Sequence, residues 1–566
     1  MNNLRQFESV VDAAFGAHPL PHPNGHVSIW YLLTVAEDSQ RLMMALPDEH
    51  APQWQVEYTL DRFKFSLRSC LARVRKEVKD WTATALPKKV IPLLYARTHI
   101  LLLAGVDYSL ASQVCSSAHN GSVRVIERDG RYRVEIVEDY LDKRYGMLEV
   151  LRQSSKQPIV SFAILFWLWI RDEQACPGVI WQIAAAARVR GRRIVYEYDP
   201  ILAYALARVM PQQPMLIPDE WTFPWGGRHE TTLLLNSLSV RLLYHLIAVH
   251  YGAGTNGLKG GAEHDLCLIL SRETWVSDLE EMSSLEPAKI EAFVDQLTFG
   301  NQSRSPDQAL QPFVPMGAQG LGVGPLGWLS SNLERNLLSL QARVAVKEFS
   351  RQSGLFERQM TDSLATTLRE RWQHCVANRT FTMLDGKEEI DILICEPETK
   401  TVAVLELRWM LPPADPREVQ EKKDACLQKV QQVRRKAAAV AKAVDVVLHT
   451  AFGIDDIVVD TWTVGAVAVI EGFGGTRSPD VNIPVVPEWL LEAGVKATPT
   501  LSRLLEWAVG LEWLPMEGRD FQVIEGEPHL ERTFDYPGLI PLRNGLSYLG
   551  DAIGGLRESS DTTSVR

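Results

Sequence analysis

Two carboxylates and a guanidinium stand close together in the second half of the chain, in segments that read as strands. In EEIDILICE, Ile390, Ile392 and Ile394 share one face by the two-residue alternation of a strand, and Asp391 projects from the other. In TVAVLELRW, Glu406 and Arg408 share a face, while Ala403, Leu405 and Leu407 take the opposite one. A strand covered on both sides should be apolar throughout, yet each of these carries an acid. Burying a carboxylate is costly unless something pairs it. A divalent cation held between Asp391 and Glu406 would supply that pairing, because magnesium prefers oxygen ligands. The plainer alternative leaves both acids at solvent-exposed strand ends, with Arg408 as a surface ion-pair partner.

The elements that must position these groups begin near residue 340. The segment NLERNLLSLQARVAVKEFSRQSGLFERQMTDSLATTLRERW reads as helix. Strand-like pieces follow: RTFTML, a turn at Asp385-Gly386, EEIDILICE, a turn at PETK, and TVAVLELRW. A long helix opens with Asp415 as cap, Pro416 in the first turn and Glu418 beyond, a strong start signal. Val419, Cys426, Val430, Val433, Ala437, Val440 and Val444 recur at spacings of three, four or seven, which gives this helix one apolar face for a sheet. Between Pro416 and Ala443 eight basic residues stand against three acidic ones. A basic helix beside a metal site suits a nucleic-acid backbone, and a solvated face is the common alternative. DVVLHTAF and TVGAVAVIEGF read as further strands.

In that order of elements the region resembles the PD-(D/E)xK nuclease superfamily, the restriction-endonuclease-like fold. GLFERQMTDSL stands for its first helix, EEIDILICEPETKTVAVLELRW for its core motif, and DPREVQEKKDACLQKVQQVRRKAAAV for the helix that follows. The resemblance covers the stretch from about residue 345 to 490. It implies that Asp391 and Glu406 ligate Mg²⁺ or Mn²⁺ with the carbonyl of Leu407, and that Glu357 is an accessory acid. Arg408 stands where the family has a lysine that orients the attacking water. Arginine stays protonated in proteins, so Arg408 could steady a phosphate but not act as a general base. Lys422, Lys423 or Lys429 of the following helix could supply the missing lysine. Lys422, Lys423, Lys429, Gln431, Arg434 and Arg435 are the candidate nucleic-acid contacts.

The rest of the chain narrows the classes. A net charge of −11 over 566 residues excludes a globally basic nucleic-acid coat protein but not a local basic groove. Seven scattered cysteines without a CxxC pair argue against a zinc ribbon or disulfide scaffold and point to a reducing cytoplasm. Cys395 shares the face of Asp391 but has no paired base. The longest uncharged apolar run, Pro158 to Ile170, is too short to span a bilayer, so no membrane role is expected. Ser122 to Glu138 reads as a hairpin around Asp129-Gly130, with a solvated, arginine-bearing face. GAGTNGLKGG lacks the lysine a phosphate-binding loop needs, and Gly322, Gly324 and Gly327 satisfy GxGxxG without an apolar strand before them, so both read as loops. RVRGRR reads as a solvated helix end, and Asn301 to Gly327 as a connection between domains.

The expected architecture is therefore α/β: a mainly helical N-terminal region followed by a restriction-endonuclease-like α/β domain with a mixed central sheet. In chain order this gives residues 1–150 with the hairpin at 122–138, a helical middle domain and linker at 151–344, the nuclease-like domain at 345–495, and a C-terminal extension at 496–566 with a disordered tail. The expected function is a metal-dependent endonuclease acting on DNA, in a regulated or genome-defence role. A protein partner or activator would act through the N-terminal region. The alternative is a degenerate nuclease fold that binds nucleic acid or a protein without cutting.

Overall fold

The computed structural model describes residues 2–44, 53–137, 140–155, 162–172, 174, 176–191, 193–211, 215–257, 263–383, 386–413, 416–472, 482–529, 534–543 and 545–557. Asp385, Asp415, the end of the 252–261 glycine stretch and nearly all of the expected tail lie outside them. The chain mixes helix and sheet. Its strands, in order, are β1 (Val123–Arg128), β2 (Arg131–Ile136), β3 (Arg188–Arg190), β4 (Arg193–Val195), β5 (Leu268–Leu270), β6 (Val314–Pro315) and β7 (Leu321–Val323). They continue with β8 (His374–Met383), β9 (Gly386–Glu396), β10 (Thr401–Trp409), β11 (Thr463–Glu471), β12 (Val485–Pro487), β13 (Phe521–His529) and β14 (Phe534–Pro541).

Two compact units form, each drawn from separate stretches: 1–112 with 159–350, and 113–158 with 351–566. The first is largely helical, with a two-stranded hairpin β3–β4 and a small sheet of order β5-β7-β6. RVRGRR is thus a hairpin rather than a helix end, because Gly191 takes a positive φ of 65° and reverses the chain. The stretch from Asn301 to Gly327 lies inside this unit and supplies β6 and β7. Gly252 closes the last turns of the helix Arg228–Thr255. Two helices, Pro92–His119 and Arg228–Thr255, are long and apolar enough to cross a membrane by length and composition, and 83% of the second's apolar window is buried.

A short strand, β7, does lead into the GxGxxG run, and the helix Pro325–Leu329 follows it. The anion-binding end of that helix is already filled. Glu37 accepts hydrogen bonds from Leu326 N–H at 2.8 Å and Gly327 N–H at 3.0 Å. A side chain at Gly324 would collide with the same carboxylate, which is why glycine stands there. Burial pushes the Glu37 carboxyl up to about 7 despite those two donors.

The second unit is built on a five-stranded mixed sheet of order β12-β11-β10-β9-β8. β8, β9 and β10 run antiparallel, and β10, β11 and β12 run parallel. The central strand β10 is buried from Thr401 to Leu407, as a strand covered on both faces must be. The helix Pro416–Lys442 packs Cys426, Val430, Val433, Ala437 and Val440 into the core on the sheet face that carries Leu393, Val404 and Ala468. Leu364 and Leu368 of the helix Val346–Arg371 join the same core. DVVLHTAF forms the helix Val444–Phe452 instead of a strand. Val444, Val447 and Leu448 recur at helical spacing on its buried side, and Gly453, at a φ of 69°, ends it.

The 122–138 hairpin has the expected turn, with Asp129 and Gly130 at φ of 53° and 71°. It belongs to the second unit, where β2 pairs in parallel with β14 to complete a sheet of order β1-β2-β14-β13. The helix Tyr140–Ser155 then inserts Tyr145, Met147, Leu148 and Leu151 into the core of the five-stranded sheet. Arg144 of this helix donates to the carbonyls of Leu511, Leu514 and Pro515, which fastens the C-terminal extension to it.

Candidate functional site

Strands β9 and β10 pair regularly from Thr401↔Glu396 to Leu405↔Ile392. The next opposite pair in this register is Glu406 with Asp391, and there the ladder stops. It is also skipped on the other side of β9, where Asn378 of β8 takes a left-handed φ of 49°. Side chains replace the missing ladder bonds. Leu407 N–H donates to Asp391 Oδ2 at 2.8 Å, and Asp391 N–H points at Glu406 Oε1 from 3.5 Å. In a strand the N–H and C=O of one residue face the same neighbour. The Leu407 carbonyl therefore faces the same gap.

Antiparallel neighbours directly opposite one another project to one face, so Asp391 and Glu406 lie side by side. That face is covered by the helix Pro416–Lys442, whose lysines complete the site. Lys436 Nζ donates to Glu406 Oε1 at 2.5 Å, and Lys429 Nζ stands 3.5 Å from both Asp391 Oδ2 and Glu406 Oε2. Lys422, Lys429 and Lys436 are seven residues apart, two helical turns each, and so form one stripe beside the apolar seam. Glu406 is fully buried, Lys436 is 5% exposed, and Asp391 at 22% opens the site to solvent. Burial, and then the charge of Asp391, raises the Glu406 pKa, while the Lys436 ammonium opposes the rise.

A contrasting acid sits at the far end of β9. Glu396 accepts from Trp372 Nε1 at 3.0 Å, from Leu501 N–H at 2.9 Å, and from the Thr399 hydroxyl. Neutral donors satisfy that carboxylate in the ordinary structural way. Asp391 and Glu406 instead face ammonium groups, Lys429 against both acids and Lys436 against Glu406.

The remaining candidates fall into two sets. Arg408 is half exposed at the end of β10 and pairs with Glu357 at 2.8 Å, beside a stacked pair formed by Phe356 and Trp409. Glu357 thus reaches this end of the sheet through a guanidinium. Lys423 is turned away, into an ion pair with Asp142 at 3.2 Å, and Arg435 is bound to Glu388 of β9. Gln431 and Arg434 are exposed on the basic helix. Lys422 is half buried, and that burial lowers its pKa. The Cys395 thiol is buried and pushed up to about 12, first by burial and then by Glu398 and Glu396, which does not suit a nucleophile.

Lys436 is the residue that sequence reasoning passed over, although the seven-residue spacing with Lys429 was there to be read. Among the described residues no group of three or more His, Cys, Asp or Glu side chains is placed to hold a metal ion. Comparison with protein-family models, with curated proteins and with solved structures returns no match.

Proposed function

We propose that the second unit is a PD-(D/E)xK-like nuclease that hydrolyses phosphodiester bonds in DNA, centred on Asp391, Glu406 and Lys429. The observation that carries this reading is the position of Lys429. It stands 3.5 Å from both acids and supplies, from the helix, the lysine that the strand lacks at Arg408. The oxygen donors fit a hard divalent cation: two carboxylates side by side, with the Leu407 carbonyl facing the same gap. Asp391, Glu406 and Leu407 would hold Mg²⁺ or Mn²⁺, which makes water more acidic and offsets charge on the scissile phosphate.

The chain's own groups divide the remaining work. Lys429 Nζ carries protons that can orient a water between the two carboxylates. Arg408 keeps its proton, and its half-exposed guanidinium offers a fork of donors to phosphate oxygens. Lys436 favours the ionised form of Glu406, against the burial and the Asp391 charge that raise its pKa. Lys422, Gln431 and Arg434 on the same helix are the candidates for the DNA backbone; Lys423 pairs with Asp142 and Arg435 with Glu388. A separate, mainly helical first unit is consistent with regulation, as in genome defence.

One observation favours a second reading, binding without cutting. Lys429 and Lys436 already offset the charges of Asp391 and Glu406, so the pair needs no cation to be stable. The test is to incubate the full-length protein with supercoiled plasmid and end-labelled duplex in Mg²⁺, Mn²⁺ or EDTA, beside Asp391→Asn. Metal-dependent cutting that falls at least about a hundredfold in Asp391→Asn supports the nuclease. DNA retained without cutting, indifferent to metal and to Asp391→Asn, supports the second reading.

A further inference from the structure

The first unit contains a cleft of about 530 Å³, lined by the β3–β4 hairpin, β5 and the helix Arg228–Thr255. Small-molecule sites typically enclose about 300–1,000 Å³. The floor of the cleft is a hydrogen-bond network whose protons can be placed. His245 Nε2 lies 2.8 Å from the carbonyl oxygen of Asp265, which only accepts, so Nε2 carries the hydrogen. Burial, and then Arg241, holds His245 down to about 3, so the ring is neutral at physiological pH. Its Nδ1 must then accept, and Tyr196 Oη, 2.6 Å away, donates to it. Arg241 completes the network, with Nη1 donating to Tyr196 Oη at 3.3 Å and Nε to Asp278 at 2.6 Å.

Two groups lining the cleft have no place in that network. Tyr198 Oη and His264 Nε2 are buried and lack a hydrogen-bond partner among the described residues. His264 Nε2 stands 3.3 Å from Asp265 Oδ2 without the alignment of a hydrogen bond. The ring of Tyr198 is held by the Arg241 guanidinium 4.3 Å from its centre. Folded proteins seldom keep buried polar atoms unpaired without a use for them. The charge around the cleft is also lopsided. Arg193 is paired with Asp265 and Arg241 with Asp278, and this leaves the exposed Lys88 without a carboxylate partner among the described residues. The lining thus offers aromatic faces, two polar groups without a hydrogen-bond partner that suit ring heteroatoms, and an exposed lysine in a lining that also carries Arg193.

We propose that this cleft binds a nucleoside monophosphate, its base meeting Tyr198 and His264 and its phosphate meeting Lys88 and Arg193. The site lies within the first unit and stands independently of the nuclease reading. Isothermal titration of the full-length protein with the four ribonucleoside 5′-monophosphates, the four nucleosides and inorganic phosphate tests it. At least one monophosphate should bind about tenfold tighter than its nucleoside or phosphate alone. Lys88→Ala should weaken that binding about tenfold. Tyr198→Phe should weaken it too, while the unliganded melting temperature stays equal or rises, because the lost hydroxyl had no partner. No heat from any monophosphate at millimolar concentration would overturn the proposal. So would phosphate alone binding as tightly, which would make the cleft a bare anion site, or binding unchanged in both variants.

Discussion

At the residue scale the site is a balance of four charges, two carboxylates against two ammonium groups, in a gap where the β9–β10 ladder is interrupted. Lys436 is the partner that Glu406 cannot spare. Replacing it by methionine keeps the volume and leaves a fully buried carboxylate short of its closest cation, a loss of about 3–5 kcal/mol. The loss should depend on pH. With the ammonium gone, the folded protein binds a proton on Glu406 that the unfolded chain has released, so stability falls as pH rises above the ordinary glutamate range. Denaturant unfolding at pH 5 and pH 8 should show Lys436→Met weakened more at pH 8, and Glu406→Gln in the same background should recover most of it. Equal stability of Lys436→Met and wild type at pH 8 would mean that Lys429 alone suffices. Asp391 and Glu406 were legible in the sequence because strand alternation assigns faces without knowing the fold. The seven-residue spacing of Lys429 and Lys436 was legible too, but which lysines meet the acids was not, because the helix's register against the sheet is set by tertiary packing of Val430, Val433 and Ala437.

At the element scale the strand–turn–strand order and the basic helix were readable from alternation, turn residues and the three-four spacing of apolar positions. DVVLHTAF was not, since a short apolar run satisfies either period and its neighbours decide. Two glycines show how differently one residue type works within these elements. Gly354 lies within the helix Val346–Arg371 with nothing near its missing side chain, so Gly354→Ala should stabilise by about 0.5–1 kcal/mol. Gly472 follows β11 at a φ of 95°, where a side chain would strike the carbonyl of Met410 beyond the end of β10. Gly472→Ala should cost about 1–3 kcal/mol. Thermal unfolding of the two variants checks both signs, and a destabilised Gly354→Ala would show that the helix bends there for a reason.

At the scale of the molecule, chain order misleads. The expected boundaries follow the sequence in series, but the residues around the five-stranded sheet include 113–158, far upstream. Composition cannot reveal this, because β2 finds β14 by parallel pairing across most of the chain. A fragment of residues 345–566 should therefore be unstable. It would lack Tyr145, Leu148 and Leu151 in the core, the three hydrogen bonds from Arg144, and the partner of Lys423. Adding a 113–158 peptide in trans should restore a cooperative melting transition and the far-ultraviolet circular dichroism of a folded unit. A fragment that melts cooperatively alone would refute this view of the unit.

A nuclease centred on Asp391 and Glu406 needs one basic side chain to serve both carboxylates. The most direct measurement is the rate of Mg²⁺-dependent plasmid cleavage by wild type, Lys429→Met and Arg408→Met at matched concentrations. Wild type should cut, Lys429→Met should lose at least about a hundredfold in rate, and Arg408→Met should lose less. Undiminished cutting by Lys429→Met, a larger loss in Arg408→Met, or no cutting by wild type would contradict the role proposed for Lys429.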